Sequence, residues 1–169
     1  DSCGIAIAEN GDIYISSEWS NNIRRIDAQS GQIEIFAGND ARHHPSESGN
    51  SRPAHGEWLS LGGYSGDGGP KELAGFNQPE HLAFDSKGDL YVCDNANNRI
   101  RKIDINTGIV STVLGNGQFA SNGDNGPAVQ ASTLMPDALF IDNKDNIYVG
   151  EKYGFRVRKV DSRVLRTVC

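Results

Sequence analysis

The stretch HLAFDSKGDLYVCDNANNRIRKIDINTGIVSTVLG, residues 81–115, decides the fold, because the chain carries this pattern three times. Residues 4–38 align with it without a gap, and 11 of the 35 positions are identical. A third copy begins at Ala138 and runs to Cys169, the last residue. Self-similarity of this kind predicts a repeat architecture, in which like units stack or surround an axis.

Each copy predicts four short antiparallel strands. An apolar run is followed by a turn rich in Gly, Asn or Asp, and then by a β-branched and aromatic run such as 90–92. In RIRKID, residues 99–104, Ile alternates with Arg or Lys, which predicts one buried and one solvent-exposed face. A turn at Gly31 or Gly108 leads to the fourth strand, and in a gapless alignment Leu165 takes this glycine's place. Four-stranded units in series are typical of β-propeller blades, so we predict an all-β fold with three blades.

The 169 residues fit one domain, whose predicted parts are listed here: blade 1 at about 4–38, an insertion rich in Ser, His and Pro at about 39–58, blade 2 at about 81–115, and blade 3 at about 138–169. The formal net charge of −6 and the scattered basic residues argue against nucleic acid as a partner. No apolar run has the length of a membrane span.

The second copy resembles an NHL-repeat β-propeller. It carries the whole pattern of that family, including the D-x-x-G-D-L-Y-V run at 85–92 and N-R-I-R-K-I-D at 98–104. The connectors GYSGDGGPKELAGFNQP (63–79) and SNGDNGPAVQASTLMP (121–136) resemble the Gly-Asp-Gly-Gly-Pro linkers of the same family. Ser17 departs from this pattern, because the second copy has Asp94 there and the third has Glu151. The resemblance implies a propeller fold, and some members of the family are lyases whose metal is held by propeller histidines.

Two sets of residues are candidate metal ligands. His43, His44 and His55 lie in or beside the insertion and have side chains that suit zinc or copper, but their crowding in one loop favours an exposed polar loop over a metal site. Asp67 and Asp124 could offer oxygens to Ca²⁺, but the GDGGP and GDNGP loops hold one carboxylate each, which favours a turn in which Asp accepts hydrogen bonds from nearby backbone N–H groups. We therefore expect no cofactor, with calcium or zinc as the alternatives.

Two further groups are candidates for structure or recognition. Asp94 and Glu151 are predicted to accept hydrogen bonds from the arginines that follow them, with the rim of a ligand channel as the alternative. The loops and loop edges hold six aromatic residues: Trp19, Trp58, Tyr64, Phe119, Tyr153 and Phe155. Such residues are typical of recognition surfaces and subunit interfaces, and also of loops that pack over blade ends.

Three blades are fewer than the four to eight of a usual propeller, so open sheet edges are expected to associate. Two copies would close head to tail into a six-bladed ring, whereas an interface that does not close would give an open filament. Both assemblies bring the chain ends together, so Cys3 and Cys169 are predicted interface residues and a possible intersubunit disulfide. Cys93, between Val92 and Asp94, is predicted to be buried.

The sequence favours a non-catalytic binding and assembly module that associates with itself and presents loops to a protein or small-molecule ligand. The alternatives are a metal-dependent lyase or hydrolase of the NHL-propeller type and a structural subunit of an extracellular filament. Asp1 in place of Met and the terminal cysteines favour an extracellular or periplasmic location. The sequence leaves open whether the chain is a natural three-blade protein or part of a longer propeller.

Overall fold

Each of the three repeats folds as one four-stranded antiparallel sheet. The structure, a computed structural model, describes residues 4–38 and 62–169. Blade 1 consists of β1 (Ile5–Ile7), β2 (Ile13–Ser17), β3 (Asn22–Ile26) and β4 (Ile33–Ala37). Blade 2 consists of β5 (Pro79–Phe84), β6 (Leu90–Asp94), β7 (Arg99–Ile103) and β8 (Val110–Leu114). Blade 3 consists of β9 (Pro136–Ile141), β10 (Ile147–Glu151), β11 (Arg156–Asp161) and β12 (Val164–Thr167). The predicted all-β fold with three blades is confirmed.

The turns between the third and fourth strands differ among the blades. In blades 1 and 2, the carboxylates of Asp27 and Asp104 accept hydrogen bonds from backbone N–H groups two and three residues later, and a glycine with positive φ completes each turn. Blade 3 instead turns through Ser162 and Arg163, with φ of 46° and 70°. Its turn is therefore two residues shorter, and Leu165 pairs with Val160 as Val110 pairs with Ile103. The gapless alignment of Leu165 with the turn glycine was wrong.

Two apolar cores lie between neighbouring blades. The first joins the face of blade 1 that carries Tyr14 and Ile23 to the face of blade 2 that carries Leu90 and Ile103. The second joins the opposite face of blade 2, which carries Tyr91, to blade 3. Because blade 2 has a neighbour on each side, both faces of β7 are buried: Ile100, Arg101 and Ile103 are each fully inaccessible to solvent. The prediction that the arginine-bearing face of this strand is exposed to solvent was therefore wrong for blade 2.

Asparagine side chains connect each blade to the next. The amide oxygen of Asn21 accepts a hydrogen bond of 2.9 Å from the backbone N–H of Gln78, and Asn98 accepts one of 3.0 Å from Met135. Both asparagines lie in the left-handed region, with φ of 51° and 52°, which Asn tolerates better than most residues. The third repeat has Phe155 at this position, with φ of 50° and a side chain 88% exposed.

No helix among the described residues is long and apolar enough to cross a membrane.

Candidate functional site

A fully buried arginine organises blade 2. Arg101 lies on β7, opposite Val92 of β6, and none of its side chain is accessible to solvent. Its guanidinium lies 3.2 Å from a carboxylate oxygen of Asp94 and 2.8 Å from one of Asp67. It also donates hydrogen bonds to the carbonyl oxygens of Gly75 and Ser65. The guanidinium thus ties the blade to the connector that precedes it, which suits a residue with five fixed donors.

Blade 3 repeats this arrangement around Arg158. Its guanidinium lies 3.1 Å from Glu151 and 2.7 Å from Asp124, and it donates to the carbonyl oxygens of Ser132 and Asn122. The prediction that Asp94 and Glu151 accept hydrogen bonds from arginines is therefore confirmed. Asp67 and Asp124 were predicted to accept hydrogen bonds from nearby backbone N–H groups. This was wrong, because each binds an arginine side chain 34 residues further along the chain.

The two carboxylates that share Arg101 have opposite pKa shifts. Burial raises the pKa of Asp94 to about 6, although the backbone N–H of Asn77, the amide of Asn97 and Arg101 all act to lower it. Partial burial also acts to raise the pKa of Asp67, but hydrogen bonds from Tyr64 and Thr112 and the charge of Arg101 outweigh it, so this pKa lies below its usual value. Both groups are therefore ionised at neutral pH, which keeps the network charged.

Blade 1 has the arginine, but no carboxylate within residues 4–38 and 62–169 pairs with it as in blades 2 and 3. Arg24 lies opposite Ile15, as Arg101 lies opposite Val92. Ser17 replaces Asp94, and the Nε atom of Arg24 is buried without a hydrogen-bond partner in the part of the chain that the structure describes. Arg24 borders a cavity of about 370 Å³, whose lining residues are Ile15, Ser16, Ser17, Ser20, Arg24 and Ile33. Ser17 departs from the repeat pattern, and this departure is the sequence signal that could have identified the cavity.

The outer face of blade 1 is an open apolar sheet face, which we call the isoleucine face. Its exposed members are Ile5, Ile7, Ile33 and Ile35, with relative accessibilities of 62, 66, 63 and 44%. Its half-buried members are Ile13, Ile15 and Ile26. The equivalent face of blade 2 is core, since Leu82 is 5% exposed and Val110 is fully buried. Sequence reasoning predicted open edges but did not identify these residues.

The outer face of blade 3 is also open, and we call it the blade 3 face. Phe140 is 63% exposed there, and its ring centroid lies 6.1 Å from that of Tyr148. Val157 on β11 and Gly150 on β10 pair directly across the same sheet. These positions correspond to the face of blade 2 that packs against blade 3.

The predicted site residues fall into three groups. His43, His44, His55, Trp58 and Cys3 lie outside the described residues. Trp19 and Tyr153 are about half exposed and Phe155 is almost fully exposed, while Phe119 lies 6.4 Å from Tyr153 between ring centroids. Cys169 is exposed and Cys93 is buried. Burial raises the pKa of the Cys93 thiol well above its usual value, so this thiol stays protonated. Within 4–38 and 62–169, no three His, Cys, Asp or Glu side chains are grouped so as to hold a metal ion.

Comparisons with known proteins support the propeller fold. Three similar solved structures are a protein of unknown function from Bacteroides thetaiotaomicron (22% identity, TM-score 0.71), an auxiliary nutrient binding protein from Bacteroides ovatus (18%, 0.64) and virginiamycin B lyase from Staphylococcus aureus (17%, 0.55). The matches cover 98, 99 and 98% of this chain but only 35, 37 and 40% of those chains. A search of curated proteins gave no significant match.

The sequence pattern gives the family of the central repeat. The family model of the NHL repeat matches residues 76–103, which run from the end of the first connector through β5 and β6 to the end of β7. This span contains Asp94 and Arg101, the inner pair of the buried network. The three sheets of the chain are therefore β-propeller blades, and residues 76–103 are an NHL repeat.

Proposed function

We propose that this chain is a non-catalytic binding and assembly module whose three blades associate head to tail with a second copy. In this assembly, the isoleucine face of one copy packs against the blade 3 face of the other. Two copies joined in this way contain six blades, within the four to eight of usual propellers. A two-fold closed ring would bury both open faces at once.

The isoleucine face is the observation that carries this proposal. Four large apolar side chains on one sheet face are 44 to 66% exposed, whereas the same face of blade 2 is buried by a neighbouring blade. Burying apolar surface stabilises an interface by roughly 25 cal/mol for each Å² removed from water. Contiguous exposed apolar surface of this kind marks interaction sites on folded proteins.

The contact between blades 1 and 2 supplies a template for the intersubunit contact. Tyr14 of blade 1 packs edge-to-face on Phe84 of blade 2, with ring centroids 5.2 Å apart. In the repeat, Tyr148 corresponds to Tyr14, and Ile7 corresponds to Phe84. The head-to-tail arrangement therefore places the ring of Tyr148 against Ile7 of the second copy.

The loop aromatics support a second, outward-facing role in the same module. Trp19, Tyr153 and Phe155 are exposed and lie in the loops between the second and third strands. Aromatic side chains are enriched in the residues that dominate binding energy at interfaces. We infer that these loops contact a protein or small-molecule ligand.

Light scattering of the wild-type chain and two variants tests the assembly. We expect a discrete species of twice the chain mass of 18.3 kDa. Ile7→Glu places a charge in the interface and should give a monomer, whereas Val129→Glu, at an exposed position in the connector before blade 3, should leave the dimer intact.

Three outcomes of this experiment separate the alternatives. A folded wild-type monomer would overturn self-association. A broad distribution of large species would replace the closed ring by an open polymer. A dimer that dissociates when reductant is added would support a disulfide between Cys3 and Cys169, and a dimer indifferent to reductant would refute that bond.

A further inference from the structure

We propose that the cleft around Arg24 is a receptor for a Gly-Asp-x-Gly-Pro segment of a partner polypeptide, whose aspartate carboxylate pairs with the Arg24 guanidinium. The chain itself carries two such segments, at 66–70 and 123–127. In each of them the aspartate holds a buried arginine. The cleft adjoins the isoleucine face and shares Ile15 and Ile33 with it, but the inference does not depend on the head-to-tail contact.

The connectors show how such a segment binds to a blade. The backbone N–H of Gly68 donates to the carbonyl oxygen of Val110 at 2.8 Å, and the N–H of Val110 donates to Gly69 at 3.0 Å. Asn125 and Gly126 make the same pair of bonds with Leu165, at 2.8 and 3.1 Å. Each connector is therefore fixed to the start of the fourth strand by its backbone and to the arginine by its aspartate. Two independent examples in one molecule define the mode of binding.

Blade 1 presents the same two elements. Ile33 begins β4 and pairs with Ile26, as Val110 pairs with Ile103 and Leu165 with Val160. Ile33 and Arg24 both line the cleft. The start of a fourth strand and the arginine thus lie together, as they do where the connectors bind.

The charge of Arg24 defines the chemistry of the missing group. An arginine stays protonated in proteins, and a buried donor without a partner costs about 1–3 kcal/mol or more. In blades 2 and 3 two carboxylates surround each guanidinium, whereas the hydroxyl of Ser17 replaces the inner one in blade 1. A bound carboxylate would give the Nε–H its acceptor and balance the charge. The apolar walls formed by Ile15 and Ile33 favour a peptide over a free inorganic anion.

Neither described connector supplies this carboxylate. Asp67 already binds Arg101 and the hydroxyl of Tyr64 in its own connector, and Asp124 already binds Arg158 and the hydroxyl of Thr167 in blade 3. Releasing one of them would leave a fully buried guanidinium with a missing partner. We assign the occupant to a partner polypeptide that carries a further segment of the same chemistry.

One difference between the blades limits the expected affinity. Thr167 donates a hydrogen bond of 2.7 Å to Asp124, but the equivalent position of blade 1 is Ile35. The bound aspartate thus has one partner fewer in blade 1. We expect a peptide to bind weakly, in the range that chemical shift perturbation detects.

At each of the two interfaces between blades, the connector and the neighbouring blade pack side by side on the same sheet face. Arg101 and Ile103 lie on the same face of blade 2, and the connector binds the first while blade 1 packs on the second. A peptide at Arg24 is therefore compatible with a second copy docked on the isoleucine face. This allows peptide binding and chain mass to be measured independently.

A titration with a synthetic peptide of residues 120–133, ASNGDNGPAVQAST, tests the proposal. The ¹⁵N-labelled chain is observed by NMR, and the Nε–H signal of Arg24 should shift with saturation. Arg24→Gln should weaken binding about tenfold or more, because hydrogen bonds between charged groups are the strong ones. Arg25→Gln is the matched control: it removes the same charge from the next residue, whose side chain pairs with Asp12, Asp27 and Glu34.

A second peptide isolates the carboxylate. The same sequence with Asn at the position of Asp124 keeps the backbone and the size but loses the charge. Its affinity for the wild-type chain should be no higher than the affinity of the aspartate peptide for Arg24→Gln. Equal binding of the two peptides, equal losses in the two arginine variants, or no binding of the aspartate peptide would each overturn the proposal. Light scattering on the same samples reports self-association, so a wild-type monomer that binds the peptide would refute only the head-to-tail dimer.

Discussion

Blade 1 and blade 2 are built from nearly the same template, yet equivalent residues meet different surroundings. Ile33 is 63% exposed, whereas Val110 at the same position is fully buried. Arg24 borders an open cleft, whereas Arg101 lies between two carboxylates. This difference shows that the repeat sequence forms a sheet whose two faces can each pack against a neighbouring element. What those faces do depends on what lies beside them, and stability measurements on matched pairs of residues test this directly.

The largest expected effect is at the arginines. Arg101→Met leaves Asp94 as a buried charge without its cation and should lower the free energy of unfolding by about 3–5 kcal/mol. Arg24→Met removes a buried donor that has no partner in the described structure, so it should leave the free energy of unfolding unchanged or raise it by about 1 kcal/mol. Urea denaturation of both variants measures the difference. Equal losses would show that Arg24 is already paired in the isolated chain.

The next effect concerns two isoleucines at one repeat position. Ile103 is fully buried between blades, so Ile103→Ala should lower the free energy of unfolding by about 2–5 kcal/mol. Ile26 takes the same place on the isoleucine face and is half-buried, so Ile26→Ala should cost about 1 kcal/mol or less in the monomer. Thermal unfolding at several chain concentrations distinguishes monomer from dimer. If the cost of Ile26→Ala rises with concentration, the isoleucine face is covered by association.

The smallest expected effect is a difference in pH dependence within the Arg101 network. The pKa of Asp94 is raised from 3.8 to about 6, so between these values the folded chain holds a proton that the unfolded chain releases. The free-energy contribution of Asp94 therefore increases as the pH falls through about 6. Asp67, with its lowered pKa, stabilises the fold above the unfolded value of 3.8 and loses this contribution as the pH falls.

Unfolding measurements on Asp94→Asn and Asp67→Asn from neutral to acidic pH separate these two signs. Relative to Asp94→Asn, the wild type should gain stability on acidification, and relative to Asp67→Asn it should lose stability. Parallel pH profiles for the two variants would mean that burial does not dominate the pKa of Asp94.

The sequence predicted the blades well because their signals are local. The hairpin turns and the alternating strands are each encoded within a few residues, and the repeat presents the same local pattern three times. The identification of Asp94 as an arginine partner also succeeded, since the repeat keeps a carboxylate at Glu151. The shortened turn of blade 3 was missed because Ser162 and Arg163 carry no glycine signal for positive φ.

The burial of the arginines and the role of the connector aspartates could not be predicted locally. Period-two alternation reports which residues share a face, but it does not report how many faces are covered. Asp67 and Arg101 are 34 residues apart, and only the path of the connector across the blade brings them together. For the same reason, Ser17 was visible as a departure while the cavity beside Arg24 was not.

The asparagine bonds between blades have a consequence for cooperativity. Asn21 joins blade 1 to blade 2 and Asn98 joins blade 2 to blade 3, so folding energy is shared between nearest neighbours along a line. A linear array of this kind loses order from its ends, and its middle unit is the last to open. Amide hydrogen exchange should then be slowest in β6 and β7, and a bound partner at either end would slow it first in the blade that it touches.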